Sequence, residues 1–464
     1  MTNTSTQNQD NVFLSGSLLS VFIKTASPIV LIMLVNGSFT LLDAYFLGEF
    51  VGAEALTAVT LMFPAFMLLV ALSTLVASGF SSVLARQLGA GEKAEAKSNF
   101  SQAITLSLIV CLCLMLVFML GGKSLSLLVA NGSENLANLG YSYIAILIWF
   151  SPLGFILAIN SDTLRCEGRM PLMAAVSLAS VLLNALFNYL FIVKMGFGVV
   201  GSAYGTILAQ GVSILAVALF RRYGHNVINT QVFSLSTKRK FWSQFLLLGA
   251  PTSLSYIGVS LSSIAVIICL QLWGGENYNA TVTAYGIITR LMTFIFLPLL
   301  GLSMAFQTIV GNNYGAKSWQ RSNASIKMAL VIALVYCLSL QGITFAFKDS
   351  LGQMFVGDAL IISEVARVLP IITMLLFLVG PLMIISTLFQ AIGDAGRAGI
   401  LGLTKVYVFT LPLTFILPSL WGESGIWYAG PLAEVLMLVL TVFVLHHRFR
   451  RHGNPLGLYF ATAQ

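Results

Sequence analysis

Apolar runs of bilayer length recur from one end of this chain to the other, and they leave little freedom in fold class. A helix needs about 20 such residues to cross the hydrocarbon core, where only helices and closed barrels satisfy their backbone groups. Twelve runs qualify, near 17–45, 55–80, 98–120, 138–160, 171–193, 201–220, 245–272, 280–306, 323–346, 362–390, 398–419 and 425–446. Only 9% of the 464 residues are charged, far below the roughly 25% of an average soluble protein. The sequence predicts an all-α integral membrane protein with twelve transmembrane helices. A net charge of +8 is therefore no sign of nucleic-acid binding.

Where the charge sits matters more than its size. Lys and Arg gather after the second, fourth, sixth, eighth and tenth runs (the last with Arg397 and Lys405) and in the C-terminal tail. The opposite side keeps Lys123, Lys194, Lys348 and Arg367, together with Glu49, Glu54, Glu134, Glu276 and Glu423. The positive-inside rule then predicts both termini in the cytoplasm, in agreement with an even number of spans. The polar N-terminus lacks the basic start and cleavage site of a signal peptide. The cysteines Cys111, Cys113, Cys166, Cys269 and Cys337 fit neither a disulfide framework nor a zinc spacing and read as packing residues.

The chain also repeats itself. Arg86-Gln87-Leu88-Gly89-Ala90 aligns with Asn312-Asn313-Tyr314-Gly315-Ala316, and Gly201-Ser202-Ala203-Tyr204 with Gly425-Ile426-Trp427-Tyr428. Gly168-Arg169 aligns with Gly393-Asp394, and Pro28 with Pro251, all at nearly one offset. Two six-span halves follow, 1–222 and 243–464, joined by a polar linker at 223–242. Both halves begin on the same side, and such parallel duplications characterise carriers with a site between the halves.

Polar residues inside the runs nominate that site. A carboxylate at membrane depth is costly and marks function by default. Asn36, Thr40 and Asp43 recur at helical spacing in the first run, which puts them on one stripe. Asn184 and Asn188 share a face in the fifth run, and Ser202 and Thr206 share one in the sixth. Interhelical hydrogen bonding alone is the competing reading, strongest for Ser202 and Thr206. The aligned position of Asp43 in the second half is Val266, so this carboxylate belongs to the first half alone. Pro28 removes one backbone hydrogen bond and creates a bending point in the first run. Arg290 and Glu434 lie at similar depth in the eighth and twelfth runs, which suggests a structural ion pair. Asp162, Arg165, Glu167 and Arg169, and the matching Asp394 and Arg397, read equally as inner-gate ion pairs or as solvated helix ends.

Several of these segments are familiar. Thr40-Leu41-Leu42-Asp43-Ala44-Tyr45-Phe46-Leu47-Gly48, Leu183-Asn184-Ala185-Leu186-Phe187-Asn188 and Gly201-Ser202-Ala203-Tyr204-Gly205-Thr206 resemble the multidrug and toxic compound extrusion (MATE) family. So do Asn313-Tyr314-Gly315-Ala316, its echo at Gly89-Ala90, and Arg290 in the eighth run. The resemblance covers nearly the whole chain and is nearest to the DinF-like branch. It implies two pseudo-symmetric six-helix bundles and a cation site at Asp43, Asn184, Asn188 and Thr206, with Asn36, Thr40 and Ser202 as pocket candidates. It also implies bending of the first helix at Pro28. Asn188 departs from members that carry a second carboxylate there, which favours a proton over a tightly held Na⁺. The NorM-like branch uses acids in the seventh and tenth spans, where this chain has only Glu364 at an entrance.

The expected activity is secondary antiport: export of organic, often cationic and amphiphilic, compounds against H⁺ or Na⁺. Aromatic side chains suit such cargo through cation–π contact. No Gly-rich phosphate loop suggests ATP as the energy source. The expectation is a non-enzyme without a cofactor beyond the coupling ion, with Na⁺ at Asp43 as the one metal candidate. It would be a monomer whose partners are small organic cations, drugs and the bilayer, with no nucleic acid. Its place would be the plasma membrane of a prokaryote, the inner membrane in a Gram-negative cell. The alternative is a lipid-linked oligosaccharide flippase. That reading needs a cationic cavity, for which the sequence offers Arg290 as its mid-membrane base.

Overall fold

The computed structural model describes residues 11–130, 133–224, 227–228, 230–275, 278–453 and 455–461, without the side chains of 38–42, 44, 53 and 452. Among these residues ten helices are long and apolar enough to cross a membrane. Two bent pairs, at 49° and 44°, raise the number to twelve when each pair is one span.

In the first half, α1 (Leu18–Phe50) runs unbroken through Pro28. A short α2 (Ala53–Leu61) leads into α3 (Phe63–Gly89), so the second span starts later than its apolar run suggests. Then follow α4 (Lys93–Val129), the bent pair α5 (Glu134–Trp149) and α6 (Ser151–Cys166), α7 (Met170–Asn188) and α8 (Gly198–Tyr223). The second half repeats this order: α9 (Trp242–Trp273), α10 (Tyr278–Gly315), α11 (Trp319–Ala346) and a short α12 (Lys348–Gln353). Next come the bent pair α13 (Ala359–Thr373) and α14 (Leu376–Ile392), then α15 (Ala395–Thr404), α16 (Leu411–Trp421) and α17 (Glu423–His452). Wider π turns extend α7 over Tyr189–Lys194 and join α15 to α16 over Lys405–Thr410.

Local chemistry accounts for the breaks. Pro152 opens the second helix of the first bent pair, where its missing N–H costs nothing. Pro370 lies three residues from the end of α13, and a proline inside a helix removes one of its hydrogen bonds.

The halves pack through α3 on α9 and on α10, and through α1 on α10. The repeated motifs meet each other there. A Cβ on Gly89 would lie 1.9 Å from Asn312 O, and one on Gly315 would lie 2.0 Å from Arg86 O. Only glycine lets the two backbones approach so closely. Polar groups cross the same interface towards the face that carries the termini. Gln390 Nε2 donates across it to Ser78 Oγ (2.8 Å), and Arg86 donates to Ala391 O (2.8 Å). Arg165, 1% exposed, donates from α6 to Met304 O (2.7 Å) and Thr308 Oγ1 (3.1 Å) on α10 while pairing with Asp162 (2.9 Å). Asp394 and Arg397 pair with each other within one turn.

The connection between α8 and α9 is docked on the first half. Ser234 Oγ lies 2.7 Å from Ser101 Oγ, Ser236 N–H donates to Thr105 Oγ1 (3.0 Å), and Ile228 N–H donates to Glu167 Oε1 (3.1 Å).

Candidate functional site

The site is assembled where α1, α7 and α8 meet. Asp43 lies seven residues before the end of α1, about 10 Å along the axis. Asn188 closes α7, and Ser202 sits in the second turn of α8. Helical spacing on three apolar rods thus converges polar groups on one spot.

Asp43 Oδ1 accepts from Asn188 Nδ2 (2.8 Å) and from Ser202 Oγ (2.8 Å). Asn188 Nδ2 also donates to Asn184 Oδ1 (3.2 Å), and Asn184 Nδ2 donates to Thr206 Oγ1 (2.8 Å). Asp43 and Thr206 therefore belong to one chain of hydrogen bonds but do not touch. Hydrogen bonds to an ionised carboxylate are worth about 1.5–3 kcal/mol each, and both reach the same oxygen here. Oδ2 accepts nothing among the described residues. Asn188 Oδ1 is buried without a partner among the described residues, and a Cβ on Gly205 would lie 2.3 Å from it. Both oxygens can serve a cation or, at the carboxylate, a proton.

The structure alters several expectations. Ser202, placed with the pocket candidates, bonds the carboxylate directly. Tyr143 on α5, which the sequence did not single out, lies beside Ser202 and Asp43. One tyrosine in an apolar run carries no signal, because helix orientation decides what it faces. Asn36 is exposed on α1 and is not a hydrogen-bond partner of Asp43. The Thr40 side chain lies outside the described residues.

Arg290 and Glu434 do not pair. Glu434 is bound by Lys405 at the start of the π turn, while Arg290 is exposed on α10. Matching depths along two helices says nothing about which way their side chains face, and the turn bearing Lys405 packs directly on α17. Lys405 is thus no loop residue: it lies ten residues beyond the start of α15, about 15 Å along the axis. Arg290 is accordingly not the sole mid-membrane base. Among the described residues, no group of three His, Cys, Asp or Glu side chains is placed to hold a metal ion.

The MatE family profile matches residues 28–190 and again 251–416, once in each half. The chain belongs to the MatE family. It is accordingly a multi-pass membrane transporter and not an enzyme. It is similar to the multidrug export protein MepA of Staphylococcus haemolyticus (strain JCSC1435), 22% identical over 94% of each chain. It is also similar to the probable multidrug resistance protein YoeA of Bacillus subtilis (strain 168), 24% identical over 94% of each. A solved MATE structure in the bent conformation superposes with a TM-score of 0.85 at 24% identity, covering 96% of this chain and 98% of that one. At that identity the superposition speaks for the fold.

Proposed function

We propose that this MatE protein is a secondary active multidrug exporter, moving organic, often cationic and amphiphilic, compounds against H⁺ loaded at Asp43. The observation that carries the reading is a half-buried carboxylate inside a helix bundle, fixed through one oxygen and, among the described residues, undonated at the other. Neutralising it would weaken the bonds from Asn188 and Ser202 that tie α1 to α7 and α8. Pro28, between the foot of α1 and the site, offers the hinge about which α1 would then bend. The multidrug export names of its relatives support the cargo class, and a MATE described as bent supports the motion. Na⁺ is the competing ion; a single carboxylate with amide and hydroxyl neighbours favours the proton. The reading takes 1–222 and 243–464 as two lobes joined at 223–242. It places both termini in the cytoplasm of a prokaryotic cell, and the DinF-like branch fits the position of the carboxylate.

Ethidium efflux from cells tests this, with proton and sodium gradients collapsed separately. Wild type should export until the proton gradient collapses, Asp43→Asn should not export, and Pro28→Ala should reach the membrane but export several-fold more slowly. Undiminished export by Asp43→Asn would remove the central residue. Export by wild type that stops only when sodium collapses would replace the ion. No export of any of several cationic dyes would favour the oligosaccharide flippase.

A further inference from the structure

Residues 11–17 precede α1 and take no part in the site, yet they are firmly built in. Leu14 N–H donates to Asn11 O (3.0 Å) and Phe13 N–H to Asn11 Oδ1 (3.0 Å), closing a compact turn. Phe13 is 1% exposed and joins the core shared by both halves. The second half grips this turn by its main chain. The Arg321 guanidinium, near the start of α11, donates to Phe13 O (3.0 Å), Ser15 O (2.8 Å) and Gly16 O (2.8 Å). Asn313 Nδ2 donates to Phe13 O (3.3 Å), and Asn11 Nδ2 donates to Asn312 Oδ1 (2.9 Å). On the first half, the turn between α6 and α7 lies against Val12: a Cβ on Gly168 would fall 2.5 Å from Val12 Cγ2.

The segment therefore touches both halves at the face where their polar interface lies. Only Ser17 separates the gripped Gly16 from Leu18, the first residue of α1. The helix that carries Asp43 is thus tied at its foot to the opposite half. A planar guanidinium with five donors suits several carbonyls at once. Those carbonyls are neutral, so letting go separates no ion pair.

We infer that residues 11–16 form a strap that keeps the terminal face of the transporter shut and must leave its seat between the halves in each cycle. Because the turn runs directly into α1 of the first half, separation of the halves on that face requires it to part from Arg321 and Asn312. The strap thus sets how readily the face opens, a role distinct from ion loading at Asp43. The inference rests on the transport reading only where turnover is measured.

Two measurements on the full-length protein test it. In the first, Asn11→Cys and Asn312→Cys are combined in a Cys113→Ser background and crosslinked by oxidation. The crosslinked protein should stop exporting ethidium, and reductant should restore export. Equal export by oxidised and reduced protein overturns the strap. The second needs no transport. Cys166, 2% exposed at the end of α6 and two residues before Gly168, is labelled with a maleimide in detergent and followed by peptide-resolved mass spectrometry. Arg321→Gln should raise its labelling rate several-fold, and Arg321→Lys, which keeps the charge but loses the fork, should raise it similarly. Labelling at the wild-type rate in both variants overturns the inference. Because labelling does not depend on export, failure of the strap and failure of the export reading are distinguishable.

Discussion

Among the described residues Asp43 takes two donors, both on Oδ1, and Ser202 is one of them. Removing one hydrogen bond to a charged group costs about 1.5–3 kcal/mol. Ser202→Ala should therefore slow ethidium efflux roughly tenfold or more while leaving expression intact, and unchanged efflux would reduce Ser202 to packing. Lys405 makes a contrasting prediction about stability. Glu434 is 7% exposed, with one oxygen on Lys405 and the other buried without a partner among the described residues. Lys405 keeps 32% of its side chain exposed, so removing it costs less than the ~3–5 kcal/mol of breaking a fully buried pair. Lys405→Met should lower the unfolding temperature in detergent, and adding Glu434→Gln should recover most of the loss. Absence of recovery would show that Lys405 acts through something other than Glu434. Asp43, Asn184, Asn188 and Ser202 were legible because polar groups at helical spacing stand out in apolar runs. Tyr143 and the partner of Glu434 were not, because one-dimensional spacing gives depth along a helix but not the direction a side chain faces.

At the scale of elements, the spans were legible to within a few residues at most ends, since hydropathy and helix length are read from the same residues. Their interruptions were less so. The bend after α5 follows Pro152, which the sequence displays, whereas the π turns at Tyr189–Lys194 and Lys405–Thr410 have no comparable signal. The linker was legible as polar but not as docked. Its anchor, Glu167, makes that docking sensitive to pH. Burial holds the Glu167 carboxyl above its ordinary value of 4.5, with Arg221 and the Ile228 N–H pulling the other way. A carboxyl raised on folding binds its proton more tightly in the folded state. Its contribution is therefore fully present below pH 4.5 and is lost as pH rises through the raised value. Limited proteolysis of the connection between α8 and α9 should accelerate as pH rises through that window. Glu167→Gln should flatten the dependence, and an unchanged pH profile in that variant would clear Glu167 of the effect.

For the whole molecule, the duplicated motifs supply the surface on which the two halves meet. The sequence displayed the repeat but not that its copies pack against each other, a relation that exists only once both halves are folded. Gly89→Val would place side-chain atoms where Asn312 O now sits. It should hold the halves apart on the terminal face, raising maleimide labelling of an introduced Thr308→Cys at least several-fold over the Gly89 parent, and equal labelling would show that the interface yields. Arg165 carries a different consequence, one of time. Its acceptors at Met304 and Thr308 lie 139 and 143 residues downstream. At about 5–20 residues per second, the ribosome delivers them roughly 7–29 s after Arg165 itself. During that interval Asp162 is its nearest neutralising neighbour, and the newly made first half must keep this helix end at the water boundary. A first half expressed alone should carry the same unmet need indefinitely, making it a substrate for quality-control proteolysis until the second half is supplied.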